Sequence, residues 1–438
     1  MVKSFVNKDR IRDGIGTGTL KQIFAAWGGW LLDGYTSIAY LLVLYYLSNS
    51  IFPATLGYWR LVLTLGGGSF GAVARVFGSA FLGNFIGDKI GRKSLLTFSI
   101  VGFSVFTAAI GLVPSYQSVG LLAPVLVFVL VACAGLFAGA EYGGGASLAM
   151  ESVPKEKRNF VGAFVQSGFG TGYFVVVLAY LVLLGLFGSS FAVYGWRYLF
   201  LSALIPGFLT LIVRLISHES PVFKQMKETN DLARSPAVEM LVRKKFSLVP
   251  IIMLMTGLLF INTATFSFYP VIAGFYFLNS PEYLYALLII NFVSLLGVWF
   301  GGVVLNRIPS RRRILMIFAT VFTIPSALFV YFGYSSNFDA FTIAFSIQAF
   351  LEAMIFSLIP AFLSETFSKR FRTTAVGVTY NSGAILGGLA LVLITLQAYF
   401  ISLQLVWALN LYVAGLVMIA GLALMREPEN AGKDLITD

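Results

Sequence analysis

Apolar runs of 20 or more residues recur along the whole chain, and short charged segments separate them. Each run is long enough to cross a hydrocarbon core of about 30 Å as a helix. Of the 438 residues, 58% are hydrophobic and 11% are charged, and a water-soluble fold cannot bury so much apolar surface. The chain is therefore predicted to be an integral membrane protein with helical spans, because lipid offers no partners for unpaired backbone groups.

Twelve spans can be drawn from these runs. Predicted spans 1 to 12 cover residues 22–47, 59–86, 94–113, 121–145, 159–187, 197–216, 247–276, 283–305, 313–333, 339–362, 373–396 and 402–425. This order predicts an N-terminal segment (1–21), a six-helix half (22–216), a polar linker (217–246), a second six-helix half (247–425) and a C-terminal tail (426–438). The expected fold is all-α, with two six-helix halves related by a pseudo-two-fold axis.

The basic residues predict the orientation in the membrane. With both termini in the cytoplasm, all of the 30 lysines and arginines except Arg60, Arg75 and Arg197 fall on the cytoplasmic side. This asymmetry is the positive-inside pattern of a plasma-membrane protein. The net charge of +11 is therefore interpreted as a topology signal for a lipid bilayer, and no nucleic-acid partner is expected.

Sequence repeats link the two halves. The charged turn at residues 87–93 (GDKIGRK) has a degraded copy at 305–313 (LNRIPSRRR), where Asn306 replaces the acid. Residues 151–158 (ESVPKEKR) match 365–372 (ETFSKRFR), and 166–168 (QSG) match 381–383 (NSG). The nearly constant offset indicates parallel repeats, an arrangement found in transporters.

Four stretches carry a more specific likeness: residues 25–35 (AAWGGWLLDGY), 75–78 (RVFG) leading to the charged turn, 140–147 (AEYGGGAS) and 379–384 (TYNSGA). On these motifs the chain resembles the major facilitator superfamily, and within it the sialate/proton symporters and related monocarboxylate carriers. The resemblance implies a carrier of small organic anions and protons that works by alternating access between its halves. A monomer without cofactor or metal is expected.

Four ionisable residues are predicted to lie deep in the spans: Asp33, Arg75, Glu141 and Glu352. A rise of 1.5 Å per residue places them about 15–20 Å from the cytoplasmic mouth, near the middle of the bilayer. A charge at that depth costs roughly 3 kcal/mol or more. Asp33 or Glu141 is expected to bind the coupling proton, with Glu352 as a further candidate. Arg75 is expected to hold the substrate carboxylate, or to pair with Glu141 or Asp33.

Neutral polar side chains extend the predicted site. Asn262, Thr265 and Tyr269 share one face of span 7, and Gln348 lies one turn before Glu352 on span 10. A polar face in lipid points towards protein or water. Tyr142, Asn262, Tyr269 and Gln348 are therefore predicted substrate contacts beside Arg75. Weaker candidates are Tyr35, Tyr40, Gln166, Asn291, Tyr380 and Asn381.

Charged residues at the cytoplasmic ends predict a gate. The set consists of Asp88, Arg92, Glu151, Arg158, Glu365 and Arg372. These side chains are expected to form salt bridges that tie the halves together when the cavity opens outward. Because Asn306 replaces the acid of the second turn, the lock is expected to be asymmetric.

Alternative functions remain open at this stage. An antiporter of drugs or metabolites also needs membrane carboxylates, whereas a sugar uniporter needs none. A non-transporting receptor with the same fold would bind without flux. An enzyme is not expected, because the chain shows no phosphate loop, metal-ligand cluster or nucleophile with a histidine partner.

Overall fold

The computed structural model describes residues 16–277, 282–304, 310–425 and 432–435, apart from the side chains of 243–247, 275–277, 282 and 304. Most of the predicted terminal segments and residues 305–309 of the second charged turn lie outside these ranges. Within them the regular structure is helical throughout. Eleven of the described helices are long and apolar enough to cross a membrane, and twelve spans result when the first two, bent by 62°, count as one.

Spans 1 to 6 form the first half. Their helices are Thr17–Leu42 with Leu44–Ile51, Trp59–Leu82 with Gly83–Gly87, Arg92–Ile110, Leu122–Glu151, Arg158–Phe187, and Gly195–Leu201 with Leu204–Ile216. Short helical turns lie at Ala54–Leu56, Tyr116–Val119, Lys155–Lys157 and Gly188–Ala192. A linker helix, Pro221–Glu228, follows span 6.

Spans 7 to 12 form the second half. Their helices are Pro236–Ala264 with Tyr269–Phe277, Glu282–Val304, Arg311–Gly333, Phe338–Phe356 with Ile359–Thr366, Arg372–Ala398, and Leu403–Leu424. The expected all-α fold of twelve spans is confirmed.

Span 7 differs from the expected continuous helix in two ways. Its helix begins at Pro236, ahead of the predicted span, because proline is favoured in a first helical turn and the helix continues through the basic residues outside the apolar run. The apolar window of the span, Leu248–Gly274, starts one residue after the predicted start. Span 7 is also interrupted between Ala264 and Tyr269, where the Thr265 backbone leaves the helical region. A discontinuous span of this kind exposes backbone and side chains to a central cavity.

Glycines let the spans approach closely around the centre. A Cβ added at Gly139 of span 4 would collide with the Arg75 backbone on span 2. A Cβ added at Gly29 of span 1 would collide with the side chains of Glu141 and Arg214. Small residues at such crossings are typical of helix packing in lipid. Here they bring charged side chains from four spans into one layer.

Candidate functional site

A central cavity of about 270 Å³ lies between the two halves. Its walls are largely aromatic and aliphatic, with polar side chains from both halves. Its polar and aromatic lining includes Trp30, Asp33, Arg75, Gln166, Asn262, Tyr380 and Asn381. Among the described residues that line the cavity, Arg75 is the one basic side chain and Asp33 the one acid.

Arg75 and Asp33 form a two-pronged ion pair across spans 2 and 1. Arg75 Nη1 donates to Asp33 Oδ2 at 2.8 Å, and Arg75 Nη2 donates to Asp33 Oδ1. The arginine side chain is 18% exposed, whereas the aspartate is 2% exposed. The guanidinium therefore remains within reach of a molecule in the cavity while it compensates the Asp33 charge.

Glu141 is paired with Arg214 of span 6, so of the two partners that the sequence left open for Arg75, Glu141 and Asp33, the structure shows Asp33. Arg214 Nη1 donates to Glu141 Oε1 at 2.9 Å and Nη2 donates to Oε2 at 2.5 Å. Arg214 also donates to the backbone oxygens of Ala25 and Leu96. Both charged groups are buried and lie outside the cavity lining. The pair therefore joins spans 1, 3, 4 and 6.

Sequence reasoning missed Arg214 because it assigned this residue to the cytoplasmic mouth. Arg214 stands near the C-terminal end of an apolar run, and a charge there is normally an anchor at the membrane surface. The available signal was its position inside the predicted limits of span 6.

Glu352 lies next to the break in span 7, and its hydrogen-bond partners are uncharged. Asn262 Nδ2 donates to Glu352 Oε1 at 3.2 Å, and Thr265 Oγ1 donates to Oε2 at 2.5 Å. The carboxyl is fully buried and does not line the cavity. Within the described part of the chain no basic group forms an ion pair with Glu352.

Tyr269 and Gln348 contact each other rather than the cavity. Tyr269 Oη donates to Gln348 Oε1 at 2.8 Å, and Gln348 Nε2 lies 3.5 Å from the Ser326 backbone oxygen. Both side chains are buried outside the cavity lining. Of the four neutral residues predicted as substrate contacts, the structure brings only Asn262 to the cavity. Of the weaker candidates, four line the cavity: Tyr40, Gln166, Tyr380 and Asn381.

Tyr142 forms part of an aromatic layer between the halves. Its ring stacks on Tyr380 of span 11 with centroids 3.6 Å apart, and the Trp30 ring lies 4.8 Å from the Tyr142 ring. Trp30 and Tyr380 line the cavity, whereas Tyr142 does not. We call these three rings the aromatic layer, because they lie beside the Arg75–Asp33 pair and join spans 1, 4 and 11.

The repeated Glu-x6-Arg motifs exchange partners between the halves. Arg372 Nη1 donates to Glu151 Oε1 at 2.8 Å, and Arg158 Nη1 donates to Glu365 Oε1 at 2.7 Å. Each arginine therefore pairs with the glutamate of the opposite half. Arg311, which the predicted set lacked, also binds Glu365. We call this end of the bundle the gate face.

Asp88 joins the gate through a helix terminus. Its carboxylate accepts from the backbone N–H groups of Thr373 (3.2 Å) and Thr374 (2.9 Å), and from the Thr374 hydroxyl (2.7 Å). These groups form the first turn of span 11, where a negative charge is favourable. Burial raises the pKa of Asp88, while Arg92 and Thr374 oppose that rise.

Arg92 contacts both Asp88, which caps span 11, and Glu151, which belongs to a Glu–Arg pair. Its side chain lies 3.3 Å from Asp88 and 3.4 Å from Glu151, and it donates to the Lys369 backbone oxygen of the second half at 3.2 Å. The six predicted gate residues therefore lie at the interface between the halves in two groups: Asp88, Arg92, Glu151 and Arg372 share contacts, and Arg158 pairs with Glu365.

The tail and linker also reach the gate face. Arg158 donates to the Lys433 backbone oxygen at 2.6 Å, and the Gly432 N–H donates to Glu365 at 3.2 Å. Leu435 is 1% exposed and packs among residues of spans 1, 4, 5 and 10. In the linker, Glu219 accepts from the N–H groups of Arg92 and Lys93 at the start of span 3. Burial raises the pKa of Glu219 despite these hydrogen bonds.

Two six-helix halves, a central cavity with a paired arginine, and ion pairs between the halves at one end are features of a membrane transporter. The family comparisons agree with that class. Residues 31–391 match the model of the Major Facilitator Superfamily, and the chain belongs to that family. Members of this family are not enzymes, which confirms the expectation drawn from the sequence.

Curated relatives are bacterial transporters. The inner membrane metabolite transport protein YhjE of Escherichia coli K12 is 31% identical over 376 residues, which cover 83% of each chain. The shikimate transporter of the same organism is 29% identical over 73% of each chain. A putative proline/betaine transporter of Staphylococcus aureus MSSA476 is 28% identical over 75% of this chain and 71% of that one.

Solved structures show the same fold. The E. coli proton:xylose symporter XylE, bound to 6-bromo-6-deoxy-D-glucose, superposes with a TM-score of 0.78 at 15% identity. The match covers 97% of this chain and 98% of that one.

Proposed function

We propose that the chain carries a small organic anion together with a proton by alternating access. The observation that carries this proposal is the Arg75–Asp33 pair in the wall of the central cavity. A guanidinium binds a carboxylate through two parallel hydrogen bonds, and this one is partly exposed to the cavity. An incoming carboxylate can therefore compete with Asp33 for the same donors.

Competition for Arg75 couples the anion to the proton. When substrate takes the guanidinium, Asp33 loses its counter-charge in a largely apolar site. An unpaired carboxylate is costly there, so Asp33 takes up a proton. The loaded site then holds one arginine, one anion and one neutral acid, with no net charge. Loss of the proton and the anion on the other side restores the Arg75–Asp33 pair.

Glu141 and Glu352 receive other roles in this proposal. Glu141 is held by Arg214 away from the cavity, which suits a fixed link between spans. Glu352 has no counter-charge among the described residues and no contact with the cavity, so we assign it a proton that it keeps. Asp33 is then the group that cycles.

We further propose that the gate face is cytoplasmic, so that the structure represents a state closed to the cytoplasm. The concentration of basic residues on this face supports the assignment. For the opposite state, the exchanged Glu–Arg pairs and the Asp88 cap must all separate. Single-cysteine labelling at exposed Glu156 in intact cells tests the orientation, and reaction with an impermeant maleimide from outside would contradict it.

The relatives support a small metabolite as substrate. One of them is described as a shikimate transporter, which favours an organic acid, and the XylE structure is that of a proton symporter. The alternative is an antiporter of drugs or metabolites, or a sugar or metabolite uniporter. The sialate and monocarboxylate carriers remain the subgroup that the sequence motifs favour.

Proteoliposomes loaded with a pH dye test the proposal. Lactate, pyruvate, sialate, sugar acids and aromatic acids are added outside, and internal acidification is compared with protein-free liposomes, because undissociated weak acids also cross lipid. Saturable, protein-dependent acidification that is lost in Arg75→Lys and in Asp33→Asn is expected. Proton exchange driven by a lipophilic cation, without any response to acids, would instead establish the antiporter.

A further inference from the structure

Asn84, near the end of span 2, forms a hydrogen bond between the two halves. Its Oδ1 accepts from the backbone N–H of Ala237, in the first turn of span 7, at 3.0 Å. A backbone N–H only donates, so the amide oxygen must be the atom that faces it. Asn84 is buried and lies four residues before Asp88. The bond is therefore a contact of the gate face outside the six predicted gate residues.

The start of span 7 does not use its own capping residue. Ser235 occupies the N-cap position, and Pro236 opens the helix. A serine at this position normally accepts from the N–H two or three residues further on, which is that of Ala237 or Val238. In the described first turn of span 7, the exposed Ser235 side chain makes no such hydrogen bond. Asn84 of the opposite half takes its place.

Span 11 provides the comparison. Its N-cap position is occupied by Phe371, whose side chain has no acceptor, and Asp88 receives the N–H groups of its first turn. The end of span 2 thus caps two helices of the second half through side chains four residues apart. The two helices differ in one respect, because only span 7 has a capping residue of its own in reserve.

The start of span 7 is also fastened to the second half. Arg370, between spans 10 and 11, donates to Glu239 Oε1 in the first turn of span 7 at 2.9 Å. Arg370 also pairs with Asp231 of the linker. These ion pairs hold the helix start on the second half. Separation of the halves must therefore break the bond between Asn84 and Ala237.

We propose that Asn84 and Ser235 exchange as the cap of span 7. Asn84 caps the helix while the gate face is closed, and Ser235 caps it once the halves separate. The first N–H groups of a helix have no partner within the helix, so each state gains from having a side chain there. Asn84 then stabilises the closed state alone, and Ser235 the open state alone. This inference rests on the proposed alternating access.

Spin labels at the exposed positions 90 and 313, in a Cys133→Ser background, measure the balance between the two states. All variants also carry Glu365→Gln, which weakens the gate so that short and long distances can both be quantified. Asn84→Ala is expected to raise the ratio of long to short distances at least about threefold, and Ser235→Ala to lower it by a similar factor. The double variant Asn84→Ala/Ser235→Ala should return to within about twofold of the background.

Asn337→Ala is the matched control. Asn337 caps span 10 by accepting from Ala340, so donor and acceptor both belong to the second half. Its loss is expected to lower the melting temperature in detergent without changing the distance ratio. Melting temperatures of Asn84→Ala and Ser235→Ala, measured in the same way, show that these variants are folded.

The outcomes separate the cap exchange from the gate itself. Opposite shifts in the two single variants support the exchange. It is overturned if either single variant leaves the ratio unchanged, or if both shift it in the same direction, while a long distance in the Glu365→Gln background still supports the gate. If that background shows no long distance, the gate and the exchange both fail. The acidification assay tests anion transport independently of these results.

Discussion

In the first half, Asp33 and Glu141 each lie against an arginine, whereas in the second half Glu352 lies against an amide and a hydroxyl. All three carboxyls are buried, and their spacing along the helices predicts similar depths in the membrane. An isolated charge is expensive there, so it must be either compensated or removed. In the first half, an arginine compensates each carboxylate. We infer that in the second half Glu352 is neutral because it retains a proton.

This difference in partners indicates which acid can respond to a substrate. An ion pair at a cavity can exchange its partner for another anion, and the Arg75–Asp33 pair has that access. An ion pair sealed between spans, such as Glu141–Arg214, cannot do so without unpacking. A protonated carboxyl with neutral partners has no partner charge to exchange.

Replacing Asp33 should have the largest effect on transport, because it removes the acid that can exchange its partner. In Asp33→Asn, uphill accumulation driven by a proton gradient is expected to fall at least about tenfold, because the side chain no longer takes up a proton. Exchange of labelled for unlabelled substrate should persist, since it needs no net proton movement. Asp339→Asn, an exposed acid on span 10, is the matched control and should behave like wild type.

Removing Arg214 tests the sealed pair. Arg214→Gln leaves Glu141 buried without its counter-charge, and the expected loss is about 3–5 kcal/mol of stability. Thermal unfolding in detergent measures it. The double variant Glu141→Gln/Arg214→Gln should recover part of the loss, because no buried charge remains. Equal melting temperatures for the single and double variants would argue against this role.

Weakening the gate should shift the balance between the two states of the transporter. Glu365→Gln removes the acid shared by Arg158 and Arg311, so the state with a closed gate face is expected to become at least about tenfold less populated. Spin labels at positions 90 and 313, in a Cys133→Ser background, report the separation of the halves on this face. A longer distance should appear in Glu365→Gln and not in Glu156→Gln, which removes an exposed acid from the same face.

Replacing Glu352 should have the smallest effect. Glutamine resembles a protonated glutamate in shape and can keep the contacts to Asn262 and Thr265. Transport by Glu352→Gln is therefore expected to remain within about threefold of wild type, with uphill accumulation intact. A loss of accumulation equal to that of Asp33→Asn would show instead that Glu352 carries the coupling proton.

The fold could be predicted because its determinants are local. Apolar runs fix the spans, and repeated motifs fix the two halves, without any knowledge of which helix faces touch. The break in span 7 was not predicted, although polar residues interrupt the apolar run between Asn262 and Ser267 and Pro270 follows it. Pro270 lies in the first turn of Tyr269–Phe277 and cannot donate a hydrogen bond to the preceding turn, which favours a new helix start there. The Trp407 indole N–H donates to the Ala264 backbone oxygen at the break.

The sequence predicted how deep the site residues lie in the spans, but not which of them form pairs. Spacing along the helices placed Asp33, Arg75, Glu141 and Glu352 near one layer, but helix rotation decides which of them meet. Arg214 shows the limit, because its position in the sequence is that of a surface anchor while its long side chain reaches an acid inside the bundle. Tyr269 and Gln348 show the same limit. Their side chains hydrogen-bond to each other inside the second half, so neither is left for a ligand in the cavity.

The exchange of Glu151 and Glu365 between Arg372 and Arg158 has the geometry of a symmetric dimer interface enclosed within one polypeptide. In a true homodimer, a substitution at such a position alters both copies of the contact at once. Here each copy is encoded separately, so one can change while the other is preserved. Arg92 beside Glu151 and Arg311 beside Glu365, each at the start of its span, are repeated as well, whereas Asn306 takes the place of the capping Asp88 in the second turn of the sequence. A carrier built in this way can adjust the opening of its gate one contact at a time.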